Sequence, residues 1–135
     1  MPGLMADNDS RGQFAVMLAL LQSETWRDFW EKLNFSVETF ESVGLGSSDP
    51  DAVVWQSCQD RQIILITSNR NAEGPDSLEA TIRARNDANS LPVITIADPR
   101  RLMQSKAYAE QVVERLLEYL LELDNQLGTG RIYVP

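Results

Sequence analysis

The 135-residue chain predicts an α/β domain of three layers, with helices on both faces of a mostly parallel central sheet. Three observations carry that prediction. Short apolar runs alternate with stretches of helical spacing along the whole chain. One run, Gln62-Ile-Ile-Leu-Ile-Thr67, is unbroken, as expected of a strand buried on both faces in the middle of a parallel sheet. The chain is 43% hydrophobic and 24% charged, and its length supports one core over residues 1–135 without disulfides or structural metal.

Each element has its own local reason. Gly3-Leu-Met-Ala6 is a short apolar strand ending in Asp7-Asn-Asp9-Ser10, and apolar residues crowd a helix from Gln13 to Leu21. A second helix, over about residues 24–33, sets Trp26, Phe29, Trp30 and Leu33 on one face, where core packing is the expectation. Phe35 to Phe40 alternates with period two, the pattern of a strand near a sheet edge. Asp51 to Asp60 reads as a helix, followed by the apolar strand ending at Thr67 and a polar loop over 68–75. Asp76-x-x-Glu79 has the form of a capping box for the next helix. Pro92 to Ile96 is a further strand, and Asp98-Pro99 suits an N-cap and first turn.

From about Ser105 to Asp124 a long helix stacks Tyr108/Ala109, Val112/Val113, Leu116/Leu117 and Leu120/Leu121 into a wide apolar stripe, fit to cover the sheet or to form a homodimer. Its other face repeats Glu110, Glu114, Glu118 and Glu122, an acidic ridge that Arg115 relieves in part. Gly128-x-Gly130 breaks the chain before a last short strand, Arg131 to Val134.

Composition excludes several chemistries. There is no histidine and one cysteine, Cys58, so an internal disulfide, a Cys/His zinc site and an imidazole-based triad are all out of reach. Hard oxygen ligands are plentiful, at 20 Asp and Glu. The net charge of -8 argues against a general nucleic-acid binder. It is unevenly spread: residues 1–60 hold ten acids against three bases, residues 61–135 ten against nine. A local basic rim beside an acidic centre is compatible with that spread, as are scattered solvated charges. The N-terminus lacks a basic segment followed by an apolar run, and no stretch reaches the roughly 20 apolar residues that span a bilayer. The expectation is a cytoplasmic protein without membrane contact.

In an open α/β sheet, ligands bind beyond the carboxyl ends of the strands where strand order reverses. That rule selects Asp7 and Asp9 after the first strand, Thr67, Asn69 and Asn71 after the central one, and Asp76 a few residues on. Asp98 follows the fourth strand, and Asp51, early in its helix, leans over the same mouth. Carboxylates gathered there repel one another unless a counter-ion binds. Mg²⁺ or Mn²⁺ meets that need with one or two carboxylates, water and substrate phosphate, and phosphodiester hydrolysis is metal chemistry that requires no histidine. Each residue also has a plainer use. Asp7, Asp51, Asp76 and Asp98 are all placed to cap helices, Asn69 and Asn71 suit loop geometry, and Cys58 fits as a packing residue.

A strand ending in Asp7, Asp51-x-x-Val54 opening a helix, and Ile-Leu-Ile-Thr67-x-Asn69-x-Asn71 together resemble the PIN-like nuclease superfamily. More narrowly they are similar to its compact bacterial branch related to VapC-type toxins, and residues 71–83 look like an uncharacterised subgroup of that branch. The resemblance covers about Leu4 to Pro99 and implies a metal-dependent, single-strand-selective ribonuclease. It implies Asp7 and Asp51 as catalytic acids and metal ligands, with Asp9 and Asp76 as added acids, Asp76 also catalytic. Asn69 and Asn71 stand where the branch usually has aspartates. They would ligate or orient the metal without bringing charge, and Arg70 would hold the RNA backbone. The partners implied are single-stranded RNA and an antitoxin-like protein. The two asparagines also open a second reading, a non-catalytic module that binds RNA or protein. A receiver-like regulatory domain is a third, although its strand-end phosphoacceptor is absent at Thr67-Ser-Asn69.

Overall fold

A computed structural model describes residues 2–69 and 77–135. Among these residues five strands, β1 (Gly3–Ala6), β2 (Ser36–Glu38), β3 (Ile63–Thr67), β4 (Val93–Ile96) and β5 (Arg131–Val134), form one sheet in the order β2-β1-β3-β4-β5. Every neighbouring pair is parallel. The fold class is therefore the one expected, α/β in three layers. β3 is the middle strand and all five of its residues are buried, which is why its sequence carries no alternation.

Among the described residues six helices cover the faces: α1 (Arg11–Leu21), α2 (Arg27–Leu33), α3 (Asp51–Asp60), α4 (Leu78–Arg85), α5 (Pro99–Gln104) and α6 (Lys106–Leu121). On one face, Leu4, Ile64, Ile66, Ile94 and Ile96 pack with Met17 of α1, Leu102 of α5 and the stripe of α6. On the other, Met5, Leu65 and Val93 pack with Trp55 and Cys58 of α3 and with Leu78 and Ile82 of α4. β1, β3 and β4 thus send alternate residues to opposite cores, and each fully buried Leu or Ile contributes about 1.5–3 kcal/mol. The α6 stripe is used inside the chain, Tyr108 to Leu120 being buried while Leu121 is left out at 60% exposure. Among the described residues, no helix is long and apolar enough to cross a membrane.

Four local expectations are corrected. α2 starts at Arg27, because Ser23 to Trp26 is spent in a turn held by Trp26 N–H to Ser23 O at 3.1 Å. Phe29 is 53% exposed rather than in the core: it sits about 100° round a short helix from Trp30, which takes the inward position. The N-cap of α4 is Ser77, its hydroxyl accepting from Ala80 N–H at 3.1 Å, while Asp76, the start read for this helix, lies outside the described residues. α6 ends at Leu121 and gives way to a tight turn over Leu123–Asn125. The other end signals act as read. Asp98 accepts from Arg101 N–H with Pro99 in the first turn, and Gly128 and Gly130 take positive φ of 83° and 82° to reverse the chain into β5.

Candidate functional site

The strand order reverses between β1 and β3, which run side by side while their connections leave to opposite sides. Their carboxyl ends therefore open a crevice. Asp7 follows β1 and Asn69 follows β3. Helices returning antiparallel to the strands bring their N-termini to the same edge, which delivers Asp51 from the start of α3 and Ser77-Leu78 from the start of α4.

A short chain of hydrogen bonds ties these residues together. Thr67 Oγ1 donates to Asp7 Oδ2 at 3.0 Å, and Asn69 N–H donates to Thr67 Oγ1 at 2.9 Å. Asn69 Nδ2 then donates to Asp51 Oδ2 at 3.2 Å, and the same oxygen accepts from Leu78 N–H at 3.1 Å. Asp51 was a candidate cap for its own helix. It serves instead as a partner for an N–H of the next one, while α3 begins at Pro50 without a side-chain cap. Asp7 Oδ1 accepts from Asn8 N–H at 2.8 Å, closing the turn after β1.

The electrostatics are those of crowded acids. Burial, first of all, pushes the Asp7 carboxyl above its ordinary value, and the negative charges of Asp51 and Asp9 push the same way against the bonds from Thr67 and Asn8. The nearby wall is inert, since burial and the Asp7 charge raise the Cys58 thiol to about 12.

Of the expected site residues, the fold brings together Asp7, Asp51 and Asn69. Asp9 lies exposed in the turn after β1 and joins none of these hydrogen bonds; its charge reaches Asp7 through space. Asp98 is a helix cap. Arg70, Asn71 and Asp76 lie outside the described residues. Two carboxylates, an amide and hydroxyls are hard oxygen donors of the kind Mg²⁺ or Mn²⁺ takes, with water filling the remaining positions. Among the described residues no three Asp, Glu, Cys or His side chains gather into a metal-holding group. A cation between Asp51 and Asn69 would require the Asn69 amide to turn its Oδ1 inward, giving up a bond to a carboxylate worth about 1.5–3 kcal/mol.

Two members of the site escaped the sequence reading. Glu79 was read only as half of a capping box, and Arg131 only as the first residue of a strand. Arg131 Nη1 donates to Asn69 O at 2.8 Å and to Thr95 Oγ1 at 2.7 Å, and its Nε lies 3.6 Å from Glu79 Oε1. The signal available was a lone Arg opening a strand after Gly-x-Gly, which has no value until the register β4–β5 is known. A cavity of about 200 Å³ opens beside the end of β1, lined by Ala6, Arg11, Phe14, Leu18, Val37 and Phe40 among others. A larger opening, about 620 Å³, is on the outer side of α3 around Val53, Gln56 and Arg61, away from Asp7, Asp51 and Asn69.

Compared with protein-family profiles, with curated proteins and with solved structures, the chain has no significant match in any of the three.

Proposed function

We propose that this crevice is a Mg²⁺- or Mn²⁺-dependent phosphodiesterase site acting on single-stranded RNA, in the manner of a PIN-like nuclease. The observation that carries the reading is the linkage of Asp7 to Asp51 through Thr67 and Asn69 at the reversal of strand order. Asp7 and Asp51 would hold the cation, with Asn69 as a neutral oxygen donor. The bound ion would polarise the phosphoryl oxygen and lower the pKa of its water. The chain's own part is to hold two carboxylates at fixed positions, Asp7 by Thr67 and Asn8, Asp51 by Leu78 and Asn69. The 200 Å³ cavity at Ala6, with Phe14 and Phe40 in its wall, has the volume to take a base of a bound strand.

The test is cleavage of labelled single-stranded RNA with Mn²⁺ and with chelator, for the native chain and for Asp7→Asn. Metal-dependent cleavage that falls at least about a hundredfold in the variant is expected. Equal cleavage by both, or none by the native chain, removes the nuclease reading.

One observation favours a non-catalytic binding module: Asn69 presents its donor, not its acceptor, to Asp51. Calorimetry separates the readings. A working site binds Mn²⁺, and Asn69→Asp tightens it by adding charge; a binding module is indifferent to both.

A further inference from the structure

Of the described lysines and arginines, Arg131 is the one that is not exposed as a residue, and its side chain is only 7% exposed. Gly130, at φ 82° and with a Cβ position only 3.0 Å from Ile82 Cγ2, brings the chain in tight against α4. Pairing of Arg131 with Val93 puts it on the face that also carries Thr95, and the side chain runs along the sheet to Thr95 and the Asn69 carbonyl. Both hydrogens of Nη1 are used there. Nη2 is buried and, among the described residues, has no hydrogen-bond partner. The nearest carboxylate, on Glu79, stands off at 3.6 Å from Nε, beyond hydrogen-bond reach, with a side chain 23% exposed.

A guanidinium fixed at one amino group and unanswered at the other is under-satisfied for a buried cation, and such groups call for a missing acceptor. Its planar fork matches the oxygens of a phosphate. We infer that Arg131 is the phosphate anchor of the crevice, taking a phosphodiester oxygen at Nη2, with Glu79 as a loosely held stand-in that the phosphate displaces. The identity of the ligand as a nucleic-acid phosphate rests on the proposed function, whereas the anion site stands on the guanidinium alone. Because Arg131 holds the Asn69 carbonyl and the Asn69 amide touches Asp51, a single residue links the anchor to one acid of the site.

The experiment titrates inorganic phosphate, and separately a single-stranded tetranucleotide, into the full chain in chelator, with chloride as control. Calorimetry gives affinity, and arginine side-chain NMR of the native protein reads Arg131 without any substitution. Expected are a shift of the Arg131 guanidinium with phosphate but not chloride, a loss of affinity of tenfold or more in Arg131→Lys, and a gain of about threefold or more in Glu79→Gln, which removes the competing charge. An unmoved Arg131 resonance in the native chain, or equal affinity in Arg131→Lys, overturns the anchor. Phosphate held at Arg131 by a chain that neither binds Mn²⁺ nor cleaves RNA leaves the anchor standing and removes the nuclease reading. Tighter binding of the tetranucleotide than of free phosphate assigns the site to nucleic acid, and the reverse to a free anion.

Discussion

Asp7 is held in the folded chain under conditions that favour its protonated form, mainly through burial and then through the charges of Asp51 and Asp9. The native state consequently binds this proton more tightly than the unfolded chain, whose carboxyl titrates near 3.8. Its contribution to stability is greatest in acid and declines as pH rises from 3.8 through the higher folded value. In chelator at neutral pH, Asp7→Asn is therefore expected to melt at a higher temperature than the native chain. The difference should close as pH falls towards 3.8, a comparison that thermal melts at several pH values make directly. Cys58 gives a second residue-level expectation. With its thiol raised to about 12 and its side chain in the core, a thiol reagent should label it slowly at pH 8 and at full rate only in denaturant.

At the scale of elements, the crevice depends on ends rather than middles. α4 begins at Ser77, whose hydroxyl meets Ala80 N–H, and one residue on, Leu78 N–H meets Asp51. Ser77→Ala should cost about 1 kcal/mol in urea unfolding. The turn before β5 is stricter. Gly130 has positive φ and no space beside Ile82, so Gly130→Ala should cost roughly 1–3 kcal/mol and loosen Arg131 with it. The centre of the sheet is stricter again: Ile64→Ala in the buried strand β3 should cost about 2–5 kcal/mol. These three form a graded series by chemical denaturation.

For the whole molecule, the site joins segments far apart in sequence. Asp7, Asp51 and Asn69 come from three separate elements and meet only when the sheet is assembled. A cation held by them binds the folded chain and not the unfolded one. Mn²⁺ at a hundred times its Kd should raise stability by about 2.7 kcal/mol, and Asp51→Asn should abolish most of that gain. Melting temperature against Mn²⁺ concentration is the readout.

How far the sequence reached follows from the range of each interaction. The unbroken β3, the alternating edge strand, the Asp98-Pro99 start of α5 and the Gly128 and Gly130 turn were all legible, because burial period and backbone preference act over a few residues. So was the gathering of Asp7, Asp51 and Asn69, since a parallel sheet with helical crossovers puts strand ends and helix starts on one edge. Whether Phe29 faced inward, where α4 starts, and what the α6 stripe covered were settled by packing. Arg131 was invisible for the same reason. It is 62 residues from Asn69 in sequence, and only the pairing of β5 with β4 lays its side chain against Thr95 and the Asn69 carbonyl. Local chemistry wrote the elements and the carboxylates into the chain; the long-range register of the sheet buried Arg131 against the Asn69 carbonyl, because strand pairing is a contact between distant segments.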